Sequence, residues 1–284
     1  MVYPNLKQSV CLVILVLFVM FASGLVFYHL GAVPGQPGRL LNYMGWVANL
    51  PVFALFVLYA QRRSGRSLSQ VLRFRTVPWK MCLPVTLSIF GLVVVNFNIG
   101  NFTQYLIPIS EATLDLIRDL MGRGTPYAFA FYVLVIQAPL TEEVFCRGVI
   151  LGGLLTHRTQ GGGIFWSAVL FGVLHMNPWQ FPAALLLGIV FAWWVVQTGS
   201  LLPALFGHAL NNFLSMTSAR LELFGPLENW DVPVFLPWWL FASGIVLAVT
   251  GLWWFNQMVK RDGASHEHRA HPDQDEAPAD RKPV

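Results

Sequence analysis

Charge is what this chain has least of. Of its 284 residues only 14 are Asp or Glu and 18 are Lys or Arg, together 11%, while 55% are apolar. A soluble globular domain carries roughly 25% charged residues, so that class is excluded. Cysteine is scarce as well. Cys11, Cys82 and Cys146 each fall inside an apolar run, which leaves no disulfide framework and no Cys-x-x-Cys metal pair. The chain lacks the His-Glu-x-x-His pattern of helical zinc hydrolases. It also lacks an internal repeat, in particular an inverted pair of broken helices, which argues against a transporter. The net charge of +4 comes from basic residues in the connections between apolar runs, so no nucleic acid is expected as a partner.

What the chain does have is long apolar runs. Eight approach or reach the ~20 residues that a membrane-spanning helix needs: Ser9–Leu30, Leu40–Ala60, Met81–Ile99, Tyr127–Leu155, Gly161–Met176, Phe181–Gln197, Leu201–Met216 and Val234–Phe255. The fifth and seventh are the shortest. The first has too long an apolar core for a secretory signal and no clean small-residue cleavage site, so it reads as a retained helix. The expectation is an all-α, polytopic membrane helix bundle of about eight spans, embedded in the lipid bilayer of the cell membrane.

Basic residues set the expected orientation. Arg62, Arg63, Arg66, Arg73, Arg75 and Lys80 crowd into the second connection. Placing that connection in the cytoplasm puts both termini inside, with about thirteen basic residues cytoplasmic and about four outside. Glu111, Asp115, Arg118 and Asp119 bar residues 100–124 from spanning. Leu114, Ile117, Leu120 and Met121 recur there at helical spacing, which predicts an amphipathic helix on the outer surface. Trp179, Trp230, Trp238 and Trp239 fall near span ends, where indoles favour the headgroup region. Beyond about Lys260 the sequence is polar and rich in Asp, Pro and Ala, which predicts a disordered tail. Its His266, His268 and His271 read better as solvated residues than as metal ligands.

Within the fourth run stand two carboxylates and an arginine, Glu142, Glu143 and Arg147. Ionisable groups cost several kcal/mol in a bilayer and mark functional sites there. Adjacent glutamates point about 100° apart on a helix and cannot do the same job. Glu143 and Arg147, at i and i+4, have the spacing of a helical ion pair. Glu142 is then left to face a polar cavity as a general base. Two later runs carry His175 and His208, and Asn212 follows His208 by one turn on the same face, where both can donate to an oxyanion.

Bland readings stand beside these. The glutamates can simply pair with Arg147, His175 can be an interfacial residue, and His208 with Asn212 can be a helix–helix hydrogen bond. Glu142, His175 and His208 can also serve as zinc ligands. A Cys146 thiol nucleophile is disfavoured, because the neighbouring Arg147 is already committed to Glu143.

The motifs Glu-Glu-x-x-x-Arg (142–147), Phe-x-x-x-His (171–175) and His-x-x-x-Asn (208–212), in order on three separate runs, resemble the CPBP family of intramembrane endopeptidases. That family includes the CAAX prenyl proteases. The resemblance covers Tyr127–Met216. It implies that Glu142 and His175 activate water, that His208 and Asn212 hold the oxyanion, and that Glu143 and Arg147 shape the site, with no cofactor required. The family's zinc-dependent reading stays open, as does a non-catalytic membrane partner or immunity protein on the same scaffold. The chain then divides into an N-terminal part (1–124), catalytic helices (125–216), a last loop and span (217–259) and the tail (260–284). The expected substrate is a protein or peptide with a C-terminal processing or sorting signal. His175 lies about fourteen residues, roughly 21 Å, along a span that starts inside, so the site is expected in the outer half of the membrane.

Overall fold

The computed structural model describes residues 3–31, 38–121, 125–223 and 231–270. Every apolar run forms a helix, and the result is a polytopic bundle. Among the described residues five helical segments are long and apolar enough to cross a membrane: Leu6–Phe27, Trp79–Leu106, Tyr127–Leu154, Phe181–Thr198 and Trp238–Asp262. The other three expected spans differ in kind. Gly38–Ser64 is a 27-residue helix that carries Pro51 in its interior. Gln160–Leu174 has only 15 residues, about 22 Å at 1.5 Å each. Leu202–Arg220 has 19 residues but is diluted by His208, Asn211, Asn212 and serines. The two expected to be shortest depart for different reasons, one for length and one for polarity.

The surface helix expected after the third run is present at Glu111–Met121. Leu114 is buried on its inner side, while Arg118 joins Glu111 and Asp115 on its outer side. The last helix runs on through Ala270, ten residues past Lys260 where the tail was expected to begin. His266 and His268 therefore sit in its final turns, and His271 and the remaining tail lie outside the described residues.

Connections gather by charge. The guanidinium of Arg63 lies 6.0 Å from the Tyr3 ring, and Asn5 and Lys7 share a cleft with His157 and Arg158. Leu201 N donates to Arg73 O (3.0 Å) and Ser200 Oγ to Arg75 O (2.6 Å). These contacts bring the N-terminus and three connections to one basic end. At the opposite end Trp179 Nε1 donates to Ile107 O, Val234 N to Asn101 Oδ1, and Arg220 to Thr125 O. Successive helices thus run alternately between the two ends.

Small residues set the tightest packing. The C-terminal helix meets the Cys82–Leu106 helix where Gly91 faces Ala248 and Gly244, and where Gly251 faces Ser88, so a side chain at either contact would strike backbone. Close approach through small residues is how membrane helices gain dispersion contacts when lipid tails are as apolar as the partner.

The motif helix, Tyr127–Leu154, is not a plain α-helix. Two π-helical stretches, Tyr132–Gln137 and Val144–Leu151, flank a short α-helical piece, Ala138–Glu143. Pro139 helps to explain the first. It has no N–H to give, and Ala138 N bonds Val133 O five residues back. Leu134 O is thereby released from both the Ala138 and Pro139 positions. The Thr141 hydroxyl donates to Gln137 O (2.9 Å), which ties the following turn. Wide turns of this kind concentrate at functional sites.

Candidate active site

Glu142 and Glu143 close the α-helical piece between the two wide turns. They enter different surroundings. Glu143 is fully buried, and its Oε1 accepts from Arg147 Nη1 at 2.9 Å and from His208 Nδ1 at 2.9 Å. Arg147 Nη2 reaches across to Gly188 O (3.2 Å) on the Phe181–Thr198 helix. Its guanidinium lies over the Phe171 ring at 4.2 Å and near the Phe191 ring at 5.6 Å. Cation–π contacts gain strength when desolvated, which suits an arginine with no access to solvent. Among the described residues Glu143 Oε2 and Arg147 Nε are buried without a hydrogen-bond partner.

Glu142 is held more loosely. Its Oε2 lies 3.9 Å from His175 Nε2 and 4.0 Å from His208 Nε2. Both distances exceed a hydrogen bond, and Oε2 has no hydrogen-bond partner among the described residues. The far side of each imidazole is fixed. His175 Nδ1 bonds Phe171 O at 2.9 Å, and a carbonyl only accepts, so Nδ1 carries the proton. His208 Nδ1 likewise donates to the Glu143 carboxylate. In their neutral forms both rings therefore turn a bare Nε2 lone pair toward Glu142. Three acceptors converge at separations too long for a direct hydrogen bond but short enough for one shared water to bridge.

Aromatic rings hold the histidines in place. Phe171 sets its edge against both, at 4.9 Å from His175 and 5.6 Å from His208, and Phe191 stacks on His208 at 5.3 Å. His175 terminates its helix as the C-cap residue, and the next residue, Met176, takes a left-handed backbone with φ 46°. The chain turns away at once, so the imidazole stands at the end of a helix rather than on its side.

Asn212 lies on the same wall, but its amide has another partner. Nδ2 donates to Leu134 O at 2.9 Å, the carbonyl that Pro139 leaves unbonded, and its Oδ1 accepts from Asn211 (3.1 Å). The structure thus brings Glu142, His175 and His208 together, pairs Glu143 with Arg147 as the spacing predicted, and ties Asn212 to the motif helix. Cys146 is fully buried and does not line the cavity.

Beside the histidines lies a cavity of about 290 Å³. His175, His208 and Asn212 line it, with Asn96 from the Cys82–Leu106 helix and Ser215 and Ser218 farther along the His208 helix. Its wall continues from His208 to Ala219, about 16 Å of helix rise, and takes in Gln180 at the start of the Phe181–Thr198 helix. It runs away from the basic connections. Asn96, Asn211 and the two serines escaped sequence reading, because isolated polar residues in apolar helices carry no motif.

Zinc can be tested against this arrangement. A tetrahedral ion with bonds of about 2.0 Å sets its ligand atoms roughly 3.3 Å apart. The separations of 3.9 and 4.0 Å are wider, and no group of three or more His, Cys, Asp or Glu among the described residues is arranged to hold a metal. As placed, the residues do not fit a tetrahedral zinc ion.

Residues 124–214 match the family model described as type II CAAX prenyl endopeptidase Rce1-like. Over that segment the chain is similar to the Rce1-like family. The segment's limits coincide with the helices that deliver Glu142, Glu143, Arg147, His175, His208 and Asn212, so the family resemblance and the spatial cluster rest on one segment. The match supports a CAAX-type intramembrane protease at the level of the family, and the apolar helices support a multi-pass membrane protein. No curated protein and no solved structure matches the chain.

Proposed function

We propose that the chain is an intramembrane endopeptidase in which the Rce1-like domain hydrolyses a peptide bond with water activated by Glu142. The observation that carries this reading is the convergence of Glu142 Oε2 with two histidine Nε2 atoms at 3.9 and 4.0 Å. A water there donates one proton toward Glu142 and is oriented by His175, Glu142 takes that proton as the oxygen attacks the carbonyl, and Glu142 returns it to the amine nitrogen as the C–N bond breaks. His208 donates from Nδ1 to Glu143 and, after taking a proton from water in the cavity it lines onto Nε2, donates from Nε2 to the oxyanion. The two carboxylates are then balanced by Arg147 and His208 together. Asn212 contributes its second amide N–H, the first being engaged by Leu134 O. Glu143 and Arg147 position His208 and touch no substrate. No cofactor takes part.

Substrate reaches the site from the end opposite the basic connections. The cavity extends in that direction, and the density of Arg and Lys assigns the basic end to the cytoplasm. With both termini inside, a prenylated cytosolic tail is awkward to deliver. A protein already threaded through the membrane, with a C-terminal sorting helix or a cleavable membrane-proximal segment, is favoured.

The test compares the protein termini in membranes of cells expressing the wild type and Glu142→Gln at equal levels. A substrate whose C-terminus is trimmed only by the wild type supports the reading, and identical termini sink it. Orientation is tested separately in a cysteine-free, active background carrying Thr76→Cys or Asp231→Cys. An impermeant thiol reagent on intact cells should label Asp231→Cys alone. Labelling of Thr76→Cys alone would return the substrate to the cytosol.

A further inference from the structure

The basic end holds a second constellation that peptide hydrolysis does not use. Between Gly65 and Lys80 the chain folds into a short helix, Leu68–Leu72, seated on the motif helix through buried Val71. Around it Arg66, Ser69, Gln70, Arg73 and Arg75, with Gly199 of the turn before the His208 helix, line a cleft of about 480 Å³.

Three features mark this cleft as built to receive an anion. First, its charges are unbalanced. No ion pair among the described residues involves Arg66, Arg73 or Arg75. Arg66 and Arg73 nevertheless converge on one point. A Cβ on Gly152 would collide with Arg66 Nη1 and lie 3.3 Å from Arg73 Nη2, so the two guanidinium groups stand within about 6 Å, where like charges repel. Burial, and then the charge of Arg73, lower the pKa of Arg66, and burial lowers that of Arg73.

Second, the backbone holds the arginines in place despite that repulsion. Arg73 occupies a left-handed conformation, φ 46°, which strains a residue with a side chain. Its carbonyl accepts from Leu201 N, the Arg75 carbonyl accepts from Ser200 Oγ, and Arg66 O accepts from Gln61 Nε2. The backbone is fixed by hydrogen bonds while the guanidinium groups keep theirs to give.

Third, the remaining polar side chains offer donors. The Gln70 carbonyl oxygen is occupied by Ser67 N (2.9 Å), which leaves its amide N–H groups free to donate.

We infer that this cleft binds a phosphate-bearing anion, supplied by the headgroup of an anionic phospholipid in the cytoplasmic leaflet. Arginine forks match phosphate oxygens bidentately. The source is lipid because the same connection exposes Leu68, Phe74 and Trp79 beside the arginines, the apolar-plus-basic signature of a segment at the headgroup level. A phosphate there would bridge the Leu68–Leu72 helix to the Gly199 turn. It would neutralise the Arg66–Arg73 repulsion directly against Gly152, near the end of the motif helix.

The experiment uses the full chain purified in a zwitterionic detergent. Thermal unfolding and lipid retention in native mass spectrometry are read with added phosphatidylglycerol, phosphatidylcholine or inorganic phosphate. Phosphatidylglycerol should raise the unfolding midpoint and stay bound, and phosphatidylcholine should do neither. Arg75→Gln removes an exposed arm and should lower the apparent affinity about tenfold. Arg66→Gln/Arg73→Gln should abolish the shift while raising the lipid-free midpoint, because the repulsion is gone. Arg62→Gln/Arg63→Gln, equally basic but outside the cleft, should behave as wild type. Should the double variant fail to fold, Arg75→Gln decides alone. A full phosphatidylglycerol response in Arg75→Gln, or an equal loss in Arg62→Gln/Arg63→Gln, overturns the site. An equal response to millimolar inorganic phosphate, with no gain from the lipid, keeps the phosphate chemistry and overturns the lipid source.

Discussion

Glu142 and Glu143 are neighbours in the chain and opposites in space. Glu143 has no exposure, and one of its oxygens is shared by an arginine and a histidine at 2.9 Å each. Glu142 keeps 20% of its side chain exposed and meets two histidines at 3.9 and 4.0 Å. Geometry separates a carboxylate that holds other side chains from one that is only loosely held. A buried, paired carboxylate is costly to leave alone and slow to exchange protons. A loosely held one, next to two histidines that line a cavity, has room to move. His208 belongs to both surroundings, since its Nδ1 serves Glu143 and its Nε2 faces Glu142.

The comparison can be broken most sharply at Glu142. Glu142→Gln should lower peptide hydrolysis by about 10²–10⁴ with an unchanged unfolding midpoint, measured on one preparation. A large loss of stability would move Glu142 into the structural shell. Arg147→Ala should do the reverse and destabilise the protein by about 3–5 kcal/mol, because it strands the Glu143 carboxylate without its cation. Chemical denaturation in detergent measures it, and a loss below about 1 kcal/mol would mean that His208 alone suffices for Glu143.

Asn212→Ala tests the boundary between the two surroundings. As an oxyanion donor it should lower kcat about 10²–10³ with little change in KM. If its bond to Leu134 O is its whole role, the loss is about 1 kcal/mol of stability with kcat retained. The smallest expected effect is that of a chelator. Activity after exhaustive chelation should stay within about twofold of the untreated enzyme, and added zinc should not raise it. Loss upon chelation with rescue by zinc would mean that the three donors close in around an ion.

Much of this was legible in the sequence. The apolar runs announced the bundle, because a spanning helix needs a fixed length of apolar chain. The Glu143–Arg147 pair was legible because an i, i+4 relation is local. The His208–Glu143 bond was not, since its partners are 65 residues apart and no local periodicity encodes such a meeting. The Asn212–Leu134 bond was hidden for another reason. Reading it required knowing that the helix widens ahead of Pro139, and an isolated proline fixes no hydrogen-bond register. The arginines of the second connection were legible only as an orientation signal. Their convergence on Gly152 depends on a left-handed turn at Arg73, a conformation that residue type does not announce. The polar tail illustrates the opposite error. Its composition predicted an early start to disorder, whereas the preceding helix carries on through Ala270.

The two wide turns of the motif helix bear on how its gene can change. A turn closed by a bond five residues back holds about one residue more than an α-turn. Loss of a single codon within Val144–Leu151 would let that stretch relax toward an ordinary α-helix by giving up only its surplus residue, so the segments on either side keep nearly their present orientation. Gly148, which abuts Val71 O, and Gly152, which abuts Arg66, keep their places when the residue lost is another one. This part of the reading frame should therefore bear the loss of one residue more readily than a plain α-helical stretch, where the same loss turns one side by about 100° against the other.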